Sequence, residues 1–143
     1  MSGPKVLLVD DEQDFVETLA ERMEVRGYTV ETASDGNEAL DRAAGGGFDA
    51  VFLDLAMPGL DGIETLKRLK AIDPELQVIL LTGQATVRKG IEAMKLGALD
   101  LLEKPADIKQ LMAKIEEATN NKAMLAEERV MEEIDEIVRK RGW

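Results

Sequence analysis

Short runs of apolar, often β-branched residues alternate along the chain with stretches in which apolar residues recur at helical spacing. The runs have the length and composition of buried strands: Lys5–Val9, Tyr28–Thr32, Ala50–Leu53, Val78–Leu81 and Leu99–Leu102. Apolar residues share one helical face in four of the intervening stretches: Phe15, Leu19 and Met23; Ile63, Leu66 and Leu69; Val87, Ile91 and Met94; and Ile108, Leu111 and Ile115. The pattern predicts five strands that alternate with five helices.

Local signals for helix ends agree with this pattern. Two Asp-x-x-Glu pairs have the spacing of capping boxes at helix starts: Asp35 with Glu38 and Asp61 with Glu64. Gly27 and Gly97 follow helices whose last turns carry Arg or Lys, as expected of helix C-termini.

Five β–α units within about 119 residues predict an α/β fold with a parallel sheet and helices on both faces. Right-handed crossovers favour a flavodoxin-like, three-layer (βα)5 doubly wound sheet with strand order 2-1-3-4-5. Functional groups are then expected at the carboxyl ends of the strands, near the reversal of strand order between strands 1 and 3.

The C-terminal segment departs from the β–α pattern. Asn120 and Asn121 interrupt it, and residues 120–143 then predict a helical extension, either a separate helix or a continuation of the fifth. Its apolar stripe contains Val130, Met131, Ile134, Ile137 and Val138. We expect this stripe to pack on the chain's own domain, residues 4–119, and the alternatives are a short coiled coil with a second chain or a linker.

Composition narrows the chemistry and the partners. The chain has 45% hydrophobic and 33% charged residues, with neither Cys nor His. Thiol chemistry and histidine bases are therefore excluded. The net charge of −11 argues against direct contact with nucleic acid. No apolar run is long enough to span a membrane, and the first residues lack a secretory signal, so we expect a cytoplasmic protein.

Polar residues follow or end four of the predicted strands. They are Asp10 and Asp11 after strand 1, Asp54 after strand 3, Thr82 after strand 4 and Lys104 after strand 5. Each alone has a simpler explanation as a helix cap, a turn residue or a surface charge. Because the carboxyl ends of parallel strands meet at one edge of a sheet, we expect the five side chains to converge.

A cluster of three carboxylates requires positive charge nearby, because like charges raise the cost of ionisation. Oxygen ligands of this kind suit Mg²⁺, and Lys104 supplies a second cation for a phosphoryl oxygen. Asp54 is then the candidate nucleophile for an acyl phosphate, with Thr82 as a hydroxyl donor. A carboxylate needs no general base, so the absence of His does not prevent this reaction.

Four motifs together resemble the receiver domain of two-component response regulators, within the CheY-like superfamily. They are Val6–Glu12, Asp54–Gly62, Leu81–Gly83 and Lys104-Pro105, in matching order over residues 4–119. The resemblance implies that Asp54 is the phosphoacceptor and that Lys104 binds the phosphoryl group. It implies that Thr82 moves toward this group.

The resemblance also implies a Mg²⁺ site and partners. Asp10, Asp11, Asp54 and the backbone carbonyl of Ala56 would hold the metal. The phosphodonor would be a sensor histidine kinase or a small molecule such as acetyl phosphate. The chain would catalyse its own phosphorylation and dephosphorylation without turnover of an external substrate. Helix 4, strand 5 and helix 5 would form the output face. Our own hypothesis is that this face dimerises or docks a partner when Asp54 is modified, and a homodimer through the C-terminal helix is the other possibility.

One position of this sequence departs from the family pattern. Receivers usually carry Tyr or Phe three residues before the Lys, where this chain has Leu101. Leu101 is either ordinary packing on the fifth strand or a sign that output uses backbone shifts in helix 4 and strand 5. Ala56 and Gln84 would tune the phosphoryl lifetime.

Two other functions of this fold are disfavoured by the sequence. A phosphohydrolase usually has a second acid at the position of Ala56, and a flavin carrier usually has aromatic residues in the strand-end loops, where this chain has none. An unphosphorylated receiver-like binding module is the remaining alternative. The chain is either a stand-alone receiver or one that continues into an effector.

Overall fold

A computed structural model describes residues 3–57, 61–83 and 87–142, without the side chain of Val87. The strands are β1 Lys5–Val9, β2 Thr29–Ala33, β3 Ala50–Asp54, β4 Val78–Thr82 and β5 Asp100–Glu103. The helices are α1 Gln13–Val25, α2 Gly36–Ala44, α3 Gly62–Ile72, α4 Val87–Met94 and α5 Ile108–Lys140. Over these described residues, no helix combines the length and the apolar character that a membrane span requires.

The strands form one parallel sheet in the order β2-β1-β3-β4-β5, which confirms the predicted topology. Successive residues of each strand point to opposite faces, and each face has its own core. Helices α1 and α5 cover one face, where Met23, Phe52 and Ile115 are buried. Helices α2, α3 and α4 cover the other, where Leu53 and Leu66 are buried.

Strand β1 has the predicted bounds, and the other four strands differ from the predicted ones by one residue. Strand β2 begins after Tyr28, because the amide of Tyr28 donates to the carbonyl of Met23 at 3.1 Å and so closes the end of α1. Gly27 has the positive φ of 94° that this helix end requires. Strands β3 and β4 extend one residue further than predicted, so Asp54 and Thr82 are the last residues of their strands.

The apolar residues predicted to share a face of α4 do not form its buried face. Ile91 and Met94 are 56% and 36% exposed, whereas Gly90 and Ala93 are buried against the sheet. A Cβ on Gly90 would lie 2.7 Å from a methyl carbon of Leu101. The helix thus approaches β5 through small residues, which carry little hydrophobic signal. The third predicted residue of the face, Val87, lies outside the described side chains.

The C-terminal extension is a continuation of α5 rather than a separate helix. The helix runs unbroken from Ile108 to Lys140, so the predicted boundary at residues 119 and 120 falls inside it. Asn121 does not break the helix, because its side-chain amide donates to Gln77 Oε1 at 2.6 Å.

The expected packing of the extension on its own domain is wrong for the apolar stripe. Met131 is 61% exposed and Ile134 is 50% exposed, and Val130 and Ile137 are similarly open. The periodicity correctly grouped these residues on a helix, but the helix carries them past the amino edge of the sheet, where they have no core to join.

Candidate functional site

Three aspartates lie together at the carboxyl edge of the sheet, between β1 and β3. Asp10 and Asp54 are buried, at 2% and 3% exposure, and Asp11 is exposed. Each offers a carboxylate oxygen, and the three oxygens lie within 4.8 Å of one another. The reversal of strand order separates the loops above these two strands and makes room for the cluster. The predicted convergence of these three residues is therefore present.

Lys104 enters the same pocket from the end of β5. Its Nζ lies 2.7 Å from Asp10 Oδ2, 3.3 Å from Asp54 Oδ2 and 3.6 Å from Glu12 Oε1. Burial disfavours the charged ammonium, but the hydrogen bond to Asp10 and the charges of Asp10 and Asp54 outweigh it and raise the pKa of Lys104. Lys104 is thus a fixed positive charge between the two buried carboxylates.

The second oxygen of each buried aspartate binds a backbone amide. Asp10 Oδ1 accepts from the amide of Glu12, and Asp54 Oδ1 accepts from the amide of Ala56, both at 3.0 Å. These bonds fix the carboxylates so that each Oδ2 faces Lys104. The carboxylates are therefore oriented by their own turns as well as by Lys104.

Helix capping does not explain the acidic pair after β1. Residue Glu12 occupies the N-cap of α1, and no side chain caps this helix. By contrast, aspartate side chains cap three other helices, with Asp35 on α2, Asp61 on α3 and Asp107 on α5. The sequence uses aspartate as a cap elsewhere, so Asp10 and Asp11 stand out by serving a pocket instead.

Thr82 ends β4, the strand next to β3, and is buried at the same edge. Its hydroxyl donates to the carbonyl of Gly83 at 2.9 Å. Its own carbonyl accepts from the amide of Lys104 at 2.7 Å, which ties the ends of β4 and β5 together. Thr82 and Lys104 are thus linked through the backbone as well as by their place at the same edge.

The donor set of the pocket fits a hard divalent cation. Asp10, Asp11 and Asp54 supply carboxylate oxygens, and Asp11 is open to solvent, so that water can complete a coordination shell. Ala56 is exposed two residues after Asp54, at the rim of the pocket. An acidic pocket of this composition is suited to Mg²⁺, which keeps several waters when bound.

Two residues of the pocket were not predicted as site residues. Glu12 is within 3.6 Å of the Lys104 ammonium, and the Phe15 ring centroid lies 5.2 Å from it. The sequence places Phe15 only on the apolar face of α1, because periodicity does not reveal which group lies over the face of an aromatic ring. Gln84 and the Pro58–Leu60 part of the second motif lie outside the described residues.

Leu101, at the usual aromatic position, is partly buried and packs against the core beneath α4. Its methyl carbons occupy the space beside Gly90, where a Cβ would lie 2.7 and 2.8 Å away. Leu101 therefore connects β5 directly to α4.

The fold and the pocket define a doubly wound α/β protein with an acidic, lysine-containing site at its topological switch point. The sequence matches the family model for the response regulator receiver domain over residues 6–116. The chain belongs to this family, whose members act in two-component signalling.

Curated relatives include longer regulators. The chain is 38% identical over 118 residues to the uncharacterized transcriptional regulatory protein YkoG of Bacillus subtilis, covering 82% of this chain and 52% of YkoG. It is 39% identical over 113 residues to the transcriptional regulatory protein ZraR of Escherichia coli K12, covering 79% of this chain and 26% of ZraR. The chain thus spans about half the length of YkoG and about a quarter of ZraR.

Solved structures give the same result. A response regulator receiver domain protein from Clostridium thermocellum matches with a TM-score of 0.83 and 35% identity, over 86% of this chain and 99% of that one. A structure described as adenylate cyclase from Rhodopirellula baltica matches with a TM-score of 0.85 and 25% identity, over 92% and 98%. The sequence-based recognition of the family is confirmed.

Proposed function

We propose that this chain accepts a phosphoryl group on Asp54 from a sensor histidine kinase and that the modified state controls a partner or an effector. The observation that carries the proposal is the Lys104 ammonium, held within 3.3 Å of both Asp10 and Asp54. Capping and surface solvation do not account for a partly buried lysine shared by two buried aspartates. A site that must neutralise incoming phosphoryl charge does account for it.

The reaction transfers the phosphoryl group from a phosphohistidine nitrogen to a carboxylate oxygen of Asp54. The P–N bond breaks, the P–O bond forms, and the freed histidine nitrogen takes a proton from solvent. Mg²⁺, held by Asp10, Asp11, Asp54 and the Ala56 carbonyl, would supply charge that offsets the phosphoryl oxygens.

Two protein groups act in this proposal besides the nucleophile. Lys104 exchanges its contact with Asp54 for one with a phosphoryl oxygen and keeps a charge-assisted hydrogen bond. The Thr82 hydroxyl turns from the Gly83 carbonyl toward the same group. Because Thr82 and Lys104 are joined by a backbone hydrogen bond, the ends of β4 and β5 move together.

We further propose that output passes through the contact between Leu101 and Gly90 rather than through an aromatic rotamer. A shift of β5 pushes the Leu101 methyl groups against α4, whose outer residues Ile91 and Met94 are exposed to a partner. A beryllofluoride phosphoryl mimic should therefore change amide exchange over residues 87–103. Unchanged exchange there, with the mimic bound, would contradict this route.

Intact-mass measurement after incubation with acetyl phosphate and Mg²⁺ tests the phosphoacceptor. We expect a gain of about one phosphoryl group on the wild type and none on Asp54→Ala, with the modification lost on prolonged incubation as for an acyl phosphate. The matched control is Asp41→Asn, an exposed aspartate on α2, which should be modified like the wild type.

Modification of Asp54→Ala to the wild-type level would contradict the proposal. An unmodified wild type, tested with Mg²⁺ present, would instead favour the receiver-like binding module. We also propose that this segment acts in the cytoplasm, as receivers typically do, and does not itself contact nucleic acid, since its net charge is −11. The names of the relatives as transcriptional regulators refer to longer proteins.

A further inference from the structure

The outer half of α5 carries an exposed apolar surface, which we call the extension stripe. Its members are the exposed Met124, Val130, Met131, Ile134 and Ile137 and the partly buried Val138. Arg129, on the same helix, pairs with Glu75 of the domain at 3.3 Å. Ile134 is five residues further on, about 140° around a helix of 3.6 residues per turn. The stripe therefore faces away from the domain to which the helix is attached.

Charge is distributed unevenly along the same segment. Acidic residues dominate its first part, and basic residues end it. The acidic residues are Glu127, Glu128, Glu132, Glu133, Asp135 and Glu136, and the basic ones are Arg129 in the first part and Arg139, Lys140 and Arg141 at the end. Within this segment the charge thus changes sign along the helix axis.

We propose that the extension stripe pairs with the stripe of a second copy of this chain, in antiparallel orientation, with Ile134 at the two-fold axis. A residue that precedes Ile134 in one chain then lies at the same height along the helix pair as the residue that follows Ile134 by the same number of positions in the other chain. These level pairs are Met131 with Ile137, Val130 with Val138 and Glu127 with Arg141. Apolar residues meet apolar residues near the axis, and opposite charges meet at both ends.

The position of the end pair on the helix strengthens the case. Glu127 and Arg141 are each seven residues from Ile134, so each lies within about 20° of it around the helix. They are thus part of the contact face rather than of the solvated side. A buried or half-buried pair of opposite charges at each end fixes the register.

A parallel pairing is disfavoured by the same residues. Each residue would then lie opposite its own copy, so that Glu127 meets Glu127 and Arg141 meets Arg141 on the contact face. Like charges opposed in this way weaken association and select against that orientation. The order of charge along the helix therefore favours one orientation over the other.

The length of the segment sets the expected strength. Residues 124–141 span about 27 Å at 1.5 Å per residue, a short coiled coil. The segment does not have to nucleate its own helix, however, because it continues the first half of α5, which Leu111, Ile115 and Ala118 hold on the domain. We expect a dimer that forms and dissociates with protein concentration.

Disulfide trapping distinguishes the orientations, because the chain has no cysteine of its own. Glu127→Cys and Arg141→Cys are purified separately and then mixed under mild oxidation. We expect a disulfide-linked dimer in the mixture, made of one chain of each kind, and little in either variant alone. The matched control mixes Glu132→Cys with Glu136→Cys, which share a level but lie on the opposite side of the helix, and should give little cross-linking.

Sedimentation equilibrium of the cysteine-free protein completes the test. The wild type should shift from monomer to dimer as its concentration rises, and Ile134→Glu should remain monomeric. At a dilution where both are monomeric, the two should unfold at the same temperature, since Ile134 is half exposed. Homodimeric disulfides in each single variant would overturn the antiparallel orientation. A wild type that stays monomeric, as it would if another partner covered the stripe, would overturn the proposal altogether.

Discussion

The two ends of strand β3 each carry an aspartate, and the two are used differently. Asp49 directly precedes the strand at the amino edge of the sheet. Its Oδ2 accepts from the Lys5 amide at 2.8 Å, and its Oδ1 lies 3.3 Å from Lys122 Nζ. Each oxygen of this carboxylate thus has a donor of its own, and the residue joins β1 and α5 to the start of β3.

Asp54, at the carboxyl edge, shares a single lysine with Asp10 and Glu12, while Asp11 lies in the same cluster. Acids outnumber cations there, although the residue types are the same as at the amino edge. The comparison teaches that the local ratio of acids to cations, rather than the presence of an aspartate, separates a structural edge from one suited to cation and phosphoryl binding.

Removal of the lysine from each edge should produce the largest difference. Lys104→Gln leaves several carboxylates without a cation, and we expect the free energy of unfolding to fall by about 2 kcal/mol. Lys122→Gln, the matched control, removes a half-exposed partner and should cost less than about 1 kcal/mol. Urea unfolding of both variants in metal-free buffer measures the difference, and equal losses would contradict the comparison.

The Lys104 contribution should also depend on pH. The pKa of Lys104 is raised above its ordinary 10.5 in the folded state, so its stabilising effect is complete below that value. The effect is lost as the pH rises through the folded-state pKa. The stability difference between wild type and Lys104→Gln should therefore stay constant from pH 7 to 9.5 and shrink in more alkaline buffer.

A smaller contrast is expected from the same substitution at both ends of β3. Asp49→Asn should lower the free energy of unfolding by about 1 kcal/mol, because it weakens satisfied contacts. Asp54→Asn should leave it unchanged or raise it by up to about 1 kcal/mol, because it relieves repulsion among carboxylates.

Mg²⁺ gives the second measurement on this pair. At ten times its dissociation constant it should stabilise the wild type and Asp49→Asn by about 1.4 kcal/mol. Asp54→Asn should gain clearly less, because it lacks a ligand. Equal gains by both variants would mean that the metal binds elsewhere.

Topology and the convergence of the aspartates with Lys104 could be predicted because they follow from strand spacing and from the geometry of parallel sheets. Which face of α4 is buried could not be predicted. Gly90 and Ala93 let the helix lie close to the sheet, and residues this small contribute little hydrophobic signal. The role of Glu12 and Phe15 beside Lys104 depends on side-chain direction at the start of α1, which periodicity does not specify. The exposure of Ile134 depends on where α5 passes the sheet edge, and helical spacing carries no information on that.

The continuity of α5 has a mechanical consequence. The helix starts three residues beyond Pro105, close to the acidic pocket, and Asn121 and Lys122 fasten its middle at the opposite edge of the sheet. Its 33 residues make a rod about 50 Å long. The first half packs on the domain through Leu111, Ile115 and Ala118, and the contacts of Asn121 and Lys122 attach the helix near its centre. A tilt of a few degrees at Ile108 would swing Lys140 by roughly 2 Å in the opposite direction, so a small rearrangement at one edge of the sheet becomes a larger displacement beyond the other.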